Sequence, residues 1–301
     1  MPSSIAWNSV PFMDVIDAVP LPRRPDEDDD LDHGTVQFIG TATTLIRCAG
    51  FTVLTDPNFI HRGEQIHLGY GICARRRTDP ALDIEELPPV DLLVVSHLHA
   101  DHFDRVAERQ LSKTLPIVTT PHAANALNRK GFQVTHPMAP WDSRVFVKRT
   151  GTLRITAMPA QHGPATLHRL LPQTMGSLLE FQPPSARPVK IYISGDTLLV
   201  DALREIPRRH PQIDLALPHL RGTRIMNILL TMDAEQGLKA MRLIGASRTI
   251  PIHYNDYPVF RSPLSDFKQL ALQAGVEEQV AYLAQGESYQ FAVAASVHRH
   301  T

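Results

Sequence analysis

Leu92-Leu93-Val94-Val95-Ser96-His97-Leu98-His99-Ala100-Asp101-His102 joins a short apolar run to four potential metal ligands within six positions. The run, preceded by Pro88-Pro89, reads as a strand buried on both faces. In extended backbone His97 and His99 project to the same side, and the turn that opens the next helix brings Asp101 and His102 round toward a second centre. One segment can thereby serve two metal ions. Imidazole and carboxylate donors suit zinc, manganese or iron, and the lack of cysteine ligands argues against a closed structural zinc site.

Further along the chain three single residues stand after strand-like segments, among prolines and glycines: His162 in Pro159-Ala160-Gln161-His162-Gly163, Asp196 in Ser194-Gly195-Asp196-Thr197, and His253 in Pro251-Ile252-His253-Tyr254. Taken singly, each is as well explained by a hydrogen-bonded structural role. Beside the cluster, they become its natural partners.

The segments around these positions read as short strands: Val36 to Ile39, Thr44 to Arg47, Phe51 to Thr55, Ile117 to Thr120, Val145 to Val147, Leu153 to Ala157, Ser177 to Phe181, Ile191 to Ser194 and Leu215 to Leu217. Helices are expected from Pro121 to Lys130 with Gly131 as stop, from an N-cap at Thr231 to Gly245, and from Ser262-Pro263 to Gly275. Meanders with helices interspersed predict an α/β fold of αββα sandwich type, two mixed β-sheets face to face with helices outside. Residues 1–33, with five prolines and the acidic run Asp26 to Asp30, show no periodicity and read as an irregular or partner-docking arm whose Trp7, Phe12 and Ile16 could dock on the body or a second subunit. Residues 34–301 form the main domain.

A formal net charge of −1 supplies no global attraction to nucleic acid or an anionic membrane. The two cysteines, Cys48 and Cys73, form no CxxC pair and are expected to be buried small hydrophobes. With neither a leader-like segment nor an apolar run long enough to span a bilayer, the chain is expected to be soluble and cytoplasmic. GxSxG, phosphate-loop and dinucleotide motifs are absent, so serine hydrolase, NTPase and dehydrogenase readings have no starting point.

On these motifs the chain resembles the metallo-β-lactamase superfamily, in particular the branch of L-ascorbate 6-phosphate lactonase and N-acyl-phosphatidylethanolamine phospholipase D. The resemblance runs over about Val36 to Phe291 and includes Gly40-Thr41-Ala42-Thr43-Thr44-Leu45-Ile46, Leu54-Thr55-Asp56-Pro57 and Ile250-Pro251-Ile252-His253-Tyr254. It implies two divalent ions per chain, zinc foremost, with manganese or iron(II) as alternatives. One would lie on His97, His99 and His162, the second on Asp101, His102 and His253, with Asp196 bridging. It implies a metal-bridging hydroxide that attacks a phosphodiester, phosphorylated lactone or related ester, with Asp101 and Asp196 as the catalytic carboxylates. Two departures stand out: Thr41 occupies a position where the family often has histidine, and Leu198 one where glycine is frequent.

His219, Arg221 and Tyr254 are the candidate substrate contacts, with Asn255 beside them. The segment 58–89, with His61, His67, Arg62 and Arg75-Arg76-Arg77, reads either as a solvated loop or as a basic lid over a small anionic substrate. His122 and His168 are expected at the surface; His33, His136, His210, His298 and His300 receive no role. Other readings are a nuclease built on the same centre, against which the balanced charge argues, and a non-catalytic scaffold, against which the complete ligand set argues. A homo-oligomer is compatible with the arm.

Overall fold

Alternate residues of Leu92–Val95 enter different cores, as the two-residue period of a strand requires: Leu92 and Val94 join the central cluster, Leu93 and Val95 a second one. The structure, a computed structural model, describes residues 18–22, 31–67, 73–164 and 171–293. Trp7, Phe12, Ile16, His168, His298 and His300 lie outside them.

Leu92–Val95 belongs to a seven-stranded sheet whose order, edge to edge, is Ser288–Ala292, His33–Gly40, Thr43–Cys48, Phe51–Thr55, Leu92–Val95, Ile117–Thr119 and Thr135–Pro137. The first three pairings are antiparallel and the last three parallel. A second seven-stranded sheet runs Ala18–Pro20, Ser143–Lys148, Gly151–Met158, Gly176–Gln182, Val189–Ile193, Leu215–Leu217 and Arg248–Thr249. Its last two pairings are parallel.

The inner faces meet in the largest core, where Val36, Phe38, Phe51 and Val53 pack against Leu153, Ile155, Phe181 and Ile191. The outer face of the first sheet is covered by the helices Arg105–Gln110 and Pro121–Arg129, through Ala107, Leu127 and the following Phe132. On the other side, Leu178, Tyr192 and Ala216 pack against Leu203, Ile206 and Ile244, the last from the helix Ala234–Ile244. These four layers are the expected αββα sandwich of two mixed sheets.

Several local expectations are corrected. The helix expected to start from Thr231 is capped by Asp233, whose carboxylate accepts from Gln236 N. Thr231 is occupied elsewhere, its hydroxyl accepting from Thr223 N at 3.2 Å. Within the presumed arm, Ala18–Pro20 pairs in parallel with Ser143–Lys148, on an edge where a proline costs no ladder bond to a neighbour. Cys48 is buried, but Cys73 is exposed.

The segment 58–89 is more than a solvated loop. Arg76, the middle of the arginine triplet, is buried and donates through Nη1 to the carbonyls of Asn58 and Ile60, so it holds backbone and is not offered to a ligand. Arg75 and Arg77 on either side are exposed.

Candidate metal centre

The ligand-bearing residues follow the C-terminal ends of strands. Val189–Ile193, Leu215–Leu217 and Arg248–Thr249 lie side by side and parallel, so the loops that carry Asp196, His219 and His253 leave the sheet at one place. Ser96–His102 leaves Leu92–Val95 in the facing sheet, and His162 follows Gly151–Met158. Gly195 makes the Asp196 turn possible: its φ is +60° and a Cβ there would stand 2.3 Å from the carbonyl oxygen of Met175.

His253 is itself in the left-handed region, φ +61°, as are Thr41 at +56° and Asn255 at +62°. Such backbone in residues with a Cβ persists only where its surroundings hold it. Here Thr41 O accepts from His253 N at 2.7 Å, and Thr41 N donates to Asp256 Oδ2 at 2.6 Å. Thr41, where the family pattern often has histidine, therefore serves the site through its main chain, while its hydroxyl bonds Asn58 Oδ1. The His162 loop is tied to the Asp196 loop by Gln161 N donating to Thr197 Oγ1 and Leu198 N donating to Gln161 O, both at 2.9 Å.

All seven sequence-identified ligand candidates, His97, His99, Asp101, His102, His162, Asp196 and His253, are buried and converge. Asp196 is the meeting point. His97 Nε2, His102 Nε2 and His162 Nε2 approach its Oδ2 at 3.9, 3.4 and 3.8 Å; His219 Nδ1 and His253 Nε2 approach its Oδ1 at 3.3 and 3.4 Å. Two groups of ligand atoms emerge, each within 4.8 Å internally: His97, His99 and His162, and His102, Asp196, His219 and His253. Asp101 lies beside the second group, 3.6 Å from His253 Nε2.

The donor set fits the binding of metal cations. Asp101 Oδ1, Asp196 Oδ2, His102 Nε2 and His253 Nε2 are all buried without a hydrogen-bond partner, an arrangement that is costly unless a further group satisfies them. His97 Nε2 and His99 Nδ1 lie 2.9 Å apart, within hydrogen-bond distance of each other in the first group.

Asp56, quoted above only as part of a pattern, proves to be the carboxylate behind the ligands. Its Oδ1 accepts from Ser96 N at 2.7 Å, and its Oδ2 accepts from Ser96 Oγ at 2.9 Å and His102 Nδ1 at 3.0 Å. That bond turns His102 Nε2 inward, the usual way a carboxylate orients a ligating imidazole. An acid at the end of Phe51–Thr55, the parallel neighbour of Leu92–Val95, was the available signal. Asp104 braces the cluster from the other end: it caps Arg105–Gln110 and accepts from Phe59 N and Ile60 N at 2.5 and 2.6 Å.

The substrate-contact candidates divide. Tyr254 packs on Phe38 in the central core, and its hydroxyl donates to Leu283 O, so its ring serves packing. Asn255 is exposed, with Oδ1 accepting from Leu264 N. His219 joins the second ligand group. Arg221, only 3% exposed, turns inward: Nη1 bonds Asp101 Oδ2, and Nε lies 3.0 Å from Asp196 Oδ2. His122 is exposed, and His61 pairs with Asp79 and Asp83 at the surface.

Electrostatics sort these groups. Burial would raise the Asp101 carboxyl, but Arg221, His102 and His253 pull it down to about 2. Asp196, against the same burial, is held well below the usual carboxylate range by Arg221, His102 and His253. Burial would lower His102, but Asp196, Asp56 and Asp101 lift it to about 10. Burial dominates the others: His99 falls to about 4, His162 and His253 to about 3, and His97 well below its ordinary value.

The lowered histidines set an acid limit on protein freed of metal. The unfolded chain takes up these protons as pH falls through about 6.5, whereas the folded chain resists until about 4 or 3. Stability from these groups is therefore complete above about 6.5 and is lost on acidification, each contributing roughly 1 kcal/mol per pH unit. His102, raised in the folded state, contributes a constant amount below its unfolded value and leaves this slope unmasked. Thermal melts of chelated protein from about pH 6.5 to 5, the window in which the His102 contribution is constant, should show a steadily falling midpoint; a flat profile there would contradict the assignment.

Comparison with known proteins gives a consistent result. The family described as "Beta-lactamase superfamily domain" matches residues 52–254. A UPF0173 metal-dependent hydrolase of Methanoculleus marisnigri is 30% identical over 213 residues, covering 70% of this chain and 87% of the relative. One from Pelotomaculum thermopropionicum is 31% identical over 206 residues, covering 66% and 82%. Among solved structures, the isothiocyanate hydrolase from Delia radicum gut bacteria superposes with a TM-score of 0.73 at 21% identity, over 86% of this chain and 99% of that one.

Proposed function

The chain belongs to the beta-lactamase superfamily, within its UPF0173 metal-dependent hydrolases, and from that premise we propose that its centre holds two divalent ions and hydrolyses a phosphodiester, phosphorylated lactone or related ester. The observation that carries this reading is Asp196: a buried carboxylate with five imidazoles and a guanidinium converging on its two oxygens, one of which has no hydrogen bond. A carboxylate so surrounded suits a bridge between two cations. His97, His99 and His162 would hold one ion, and His102, His253 and Asp101 the other, zinc being foremost and manganese or iron(II) also compatible with an all-imidazole and carboxylate set. Bound there, the ions would supply a hydroxide nucleophile near neutral pH and stabilise the oxyanion that develops.

The protein's own residues do the rest. Asp56 and Ser96 orient His102 and keep its Nε2 turned inward. Asp101, ionised across the neutral range, offers its unpartnered Oδ1 as an acceptor that can steer the attacking water. Arg221 adds a positive charge to a centre whose two carboxylates would already be outweighed by two divalent ions, which favours anionic esters.

Among the described residues no helix is long and apolar enough to cross a membrane, so the reading needs no bilayer. The test is elemental analysis of protein purified without added metal, with hydrolysis of bis-p-nitrophenyl phosphate, a lactone panel and an isothiocyanate, before and after chelation. Nearly two ions per chain are expected, with turnover of the phosphodiester or a lactone lost on chelation and restored by zinc or manganese. No metal and no turnover after reconstitution would favour a scaffold that retains the fold. Turnover of the isothiocyanate alone would overturn the ester assignment.

A further inference from the structure

Beyond Leu215–Leu217 the chain passes His219 and Arg221 and enters a small antiparallel hairpin, in which Arg224–Ile225 pairs with Ile228–Leu229. Its first limb follows Arg221, whose side chain turns into the centre. Its second limb is tied to the loops that carry two ligand candidates. Leu230 O accepts from Gly163 N, beside His162, at 2.7 Å, and Thr197 O, beside Asp196, accepts from Met232 N at 2.8 Å. Leu230 N donates to Thr223 O at 2.8 Å and closes the base, while Arg224 Nη2 donates to Asp233 Oδ2 at 2.9 Å. The chain from Arg221 to Met226 spans at most about 17 Å, so the hairpin tip stays within that distance of the Arg221 backbone.

The tip is apolar and faces water. Among the described residues the exposed large apolar side chains are Met226 at 88%, Ile228 at 41% and Leu272 at 63%, so this hairpin carries two of the three. Ile225 stands opposite Ile228 in the ladder, which puts the pair on one side of the ribbon. Met226 and Asn227 make the turn, with φ of +46° and +63°. Two left-handed residues in succession are what a type I′ hairpin turn requires, and asparagine, aspartate or glycine is the favoured choice at the first of them. A methionine there strains its backbone and leaves its side chain in water, so neither turn geometry nor packing accounts for it. Its flexible, polarisable side chain suits contact with apolar groups of varied shape.

We propose that Ile225, Met226 and Ile228 receive the apolar arm of a substrate whose ester group lies at the metal centre, so that the substrates are esters bearing an alkyl or aryl group. The chemical class rests on the ester reading of the centre; the apolar contact does not. Other occupants match the tip less well. A stable interface with a second copy buries on the order of 1,200 Å² or more, far beyond a hairpin whose limbs pair over 2 residues each. A lipid surface calls for basic residues around a broad apolar face, whereas Arg224 is engaged by Asp233.

The test is calorimetric titration of zinc-loaded protein with methyl phosphate and octyl phosphate, beside hydrolysis of p-nitrophenyl methyl phosphate and p-nitrophenyl octyl phosphate. In the wild type, octyl phosphate should bind at least about tenfold more tightly than methyl phosphate, since each buried methylene contributes up to about fourfold. The two kcat/KM values should differ in the same direction. Met226→Asn suits the turn better, so its melting midpoint should not fall, while its octyl-to-methyl affinity ratio should drop at least about threefold. Ile228→Thr should lower the ratio likewise. A ratio near one in the wild type would overturn the inference, as would a ratio unchanged in both variants. With the ratio intact, loss of an oligomer or of binding to phosphatidylcholine vesicles in Met226→Asn would assign the tip to a second copy or a lipid surface and overturn it too. A preference for octyl phosphate that depends on Met226, without hydrolysis of either diester, would uphold the apolar contact and count against the ester reading alone.

Discussion

Asp196→Ala is expected to reduce turnover by at least about a thousandfold and to bring the metal content below two ions per chain, the largest effect of any single substitution here. The reason is geometric. Asp196 faces both ligand groups at once, with His97 and His162 on one side and His102, His219 and His253 on the other, all within 3.9 Å of its oxygens. Removing it also takes away a buried carboxylate 3.0 Å from Arg221 Nε and 3.4 Å from His102 Nε2, leaving Asp101 and Asp56 as their remaining counter-charges, a loss of about 1.5–3 kcal/mol. A loss of activity alone would therefore be ambiguous. Asp196→Asn keeps the volume and removes the charge, so circular dichroism and metal analysis of both variants separate loss of the centre from loss of the fold. An asparagine variant with two ions and wild-type turnover would sink the bridging role.

Asp56→Ala should be the second largest. Asp56 touches none of the two ligand groups' inner atoms, yet it receives the Ser96 N–H, the Ser96 hydroxyl and His102 Nδ1. With it gone, three donors are left buried and His102 loses the bond that turns its Nε2 inward. Metal affinity at the second position is expected to fall about ten- to a hundredfold. Stability should fall by roughly 3 kcal/mol, on the order of 10 °C in melting midpoint. Asp56→Asn can still accept from one donor and should lie between. Competition titration with a chromophoric chelator and thermal melts read the two effects separately. If the alanine variant melts early but binds both ions normally, Asp56 supports the fold and not the ligand.

The two substitutions also show how much of the site was legible in advance. Asp196 was visible because it stands in a turn-forming context, Ser194-Gly195-Asp196-Thr197, after an apolar segment, in the company of a dense ligand cluster elsewhere. Asp56 stood in an equally readable motif, but nothing in one dimension says that Phe51–Thr55 pairs in parallel with Leu92–Val95 and so delivers Asp56 to Ser96 and His102. Tyr254 illustrates the opposite case. It adjoins His253, but the left-handed backbone at His253 sends the tyrosine into the central core, where its hydroxyl meets Leu283 O. Sequence adjacency at such a turn is a poor guide to direction.

What the sequence by itself determined is whatever depends on local spacing. The apolar run at Leu92–Val95, the four ligand candidates between His97 and His102, and the strand and helix punctuation that predicts a four-layer sandwich all follow from periods of two and three to four residues within one segment. What only the tertiary structure decided is which distant residues share the centre and which way they face. Parallel pairing of Val189–Ile193, Leu215–Leu217 and Arg248–Thr249 sets Asp196, His219 and His253 side by side. Arg221 reaches Asp101 across 120 positions of chain. Such contacts depend on strand order and register, which are settled by how whole apolar faces pack together, and no short stretch of sequence carries that information.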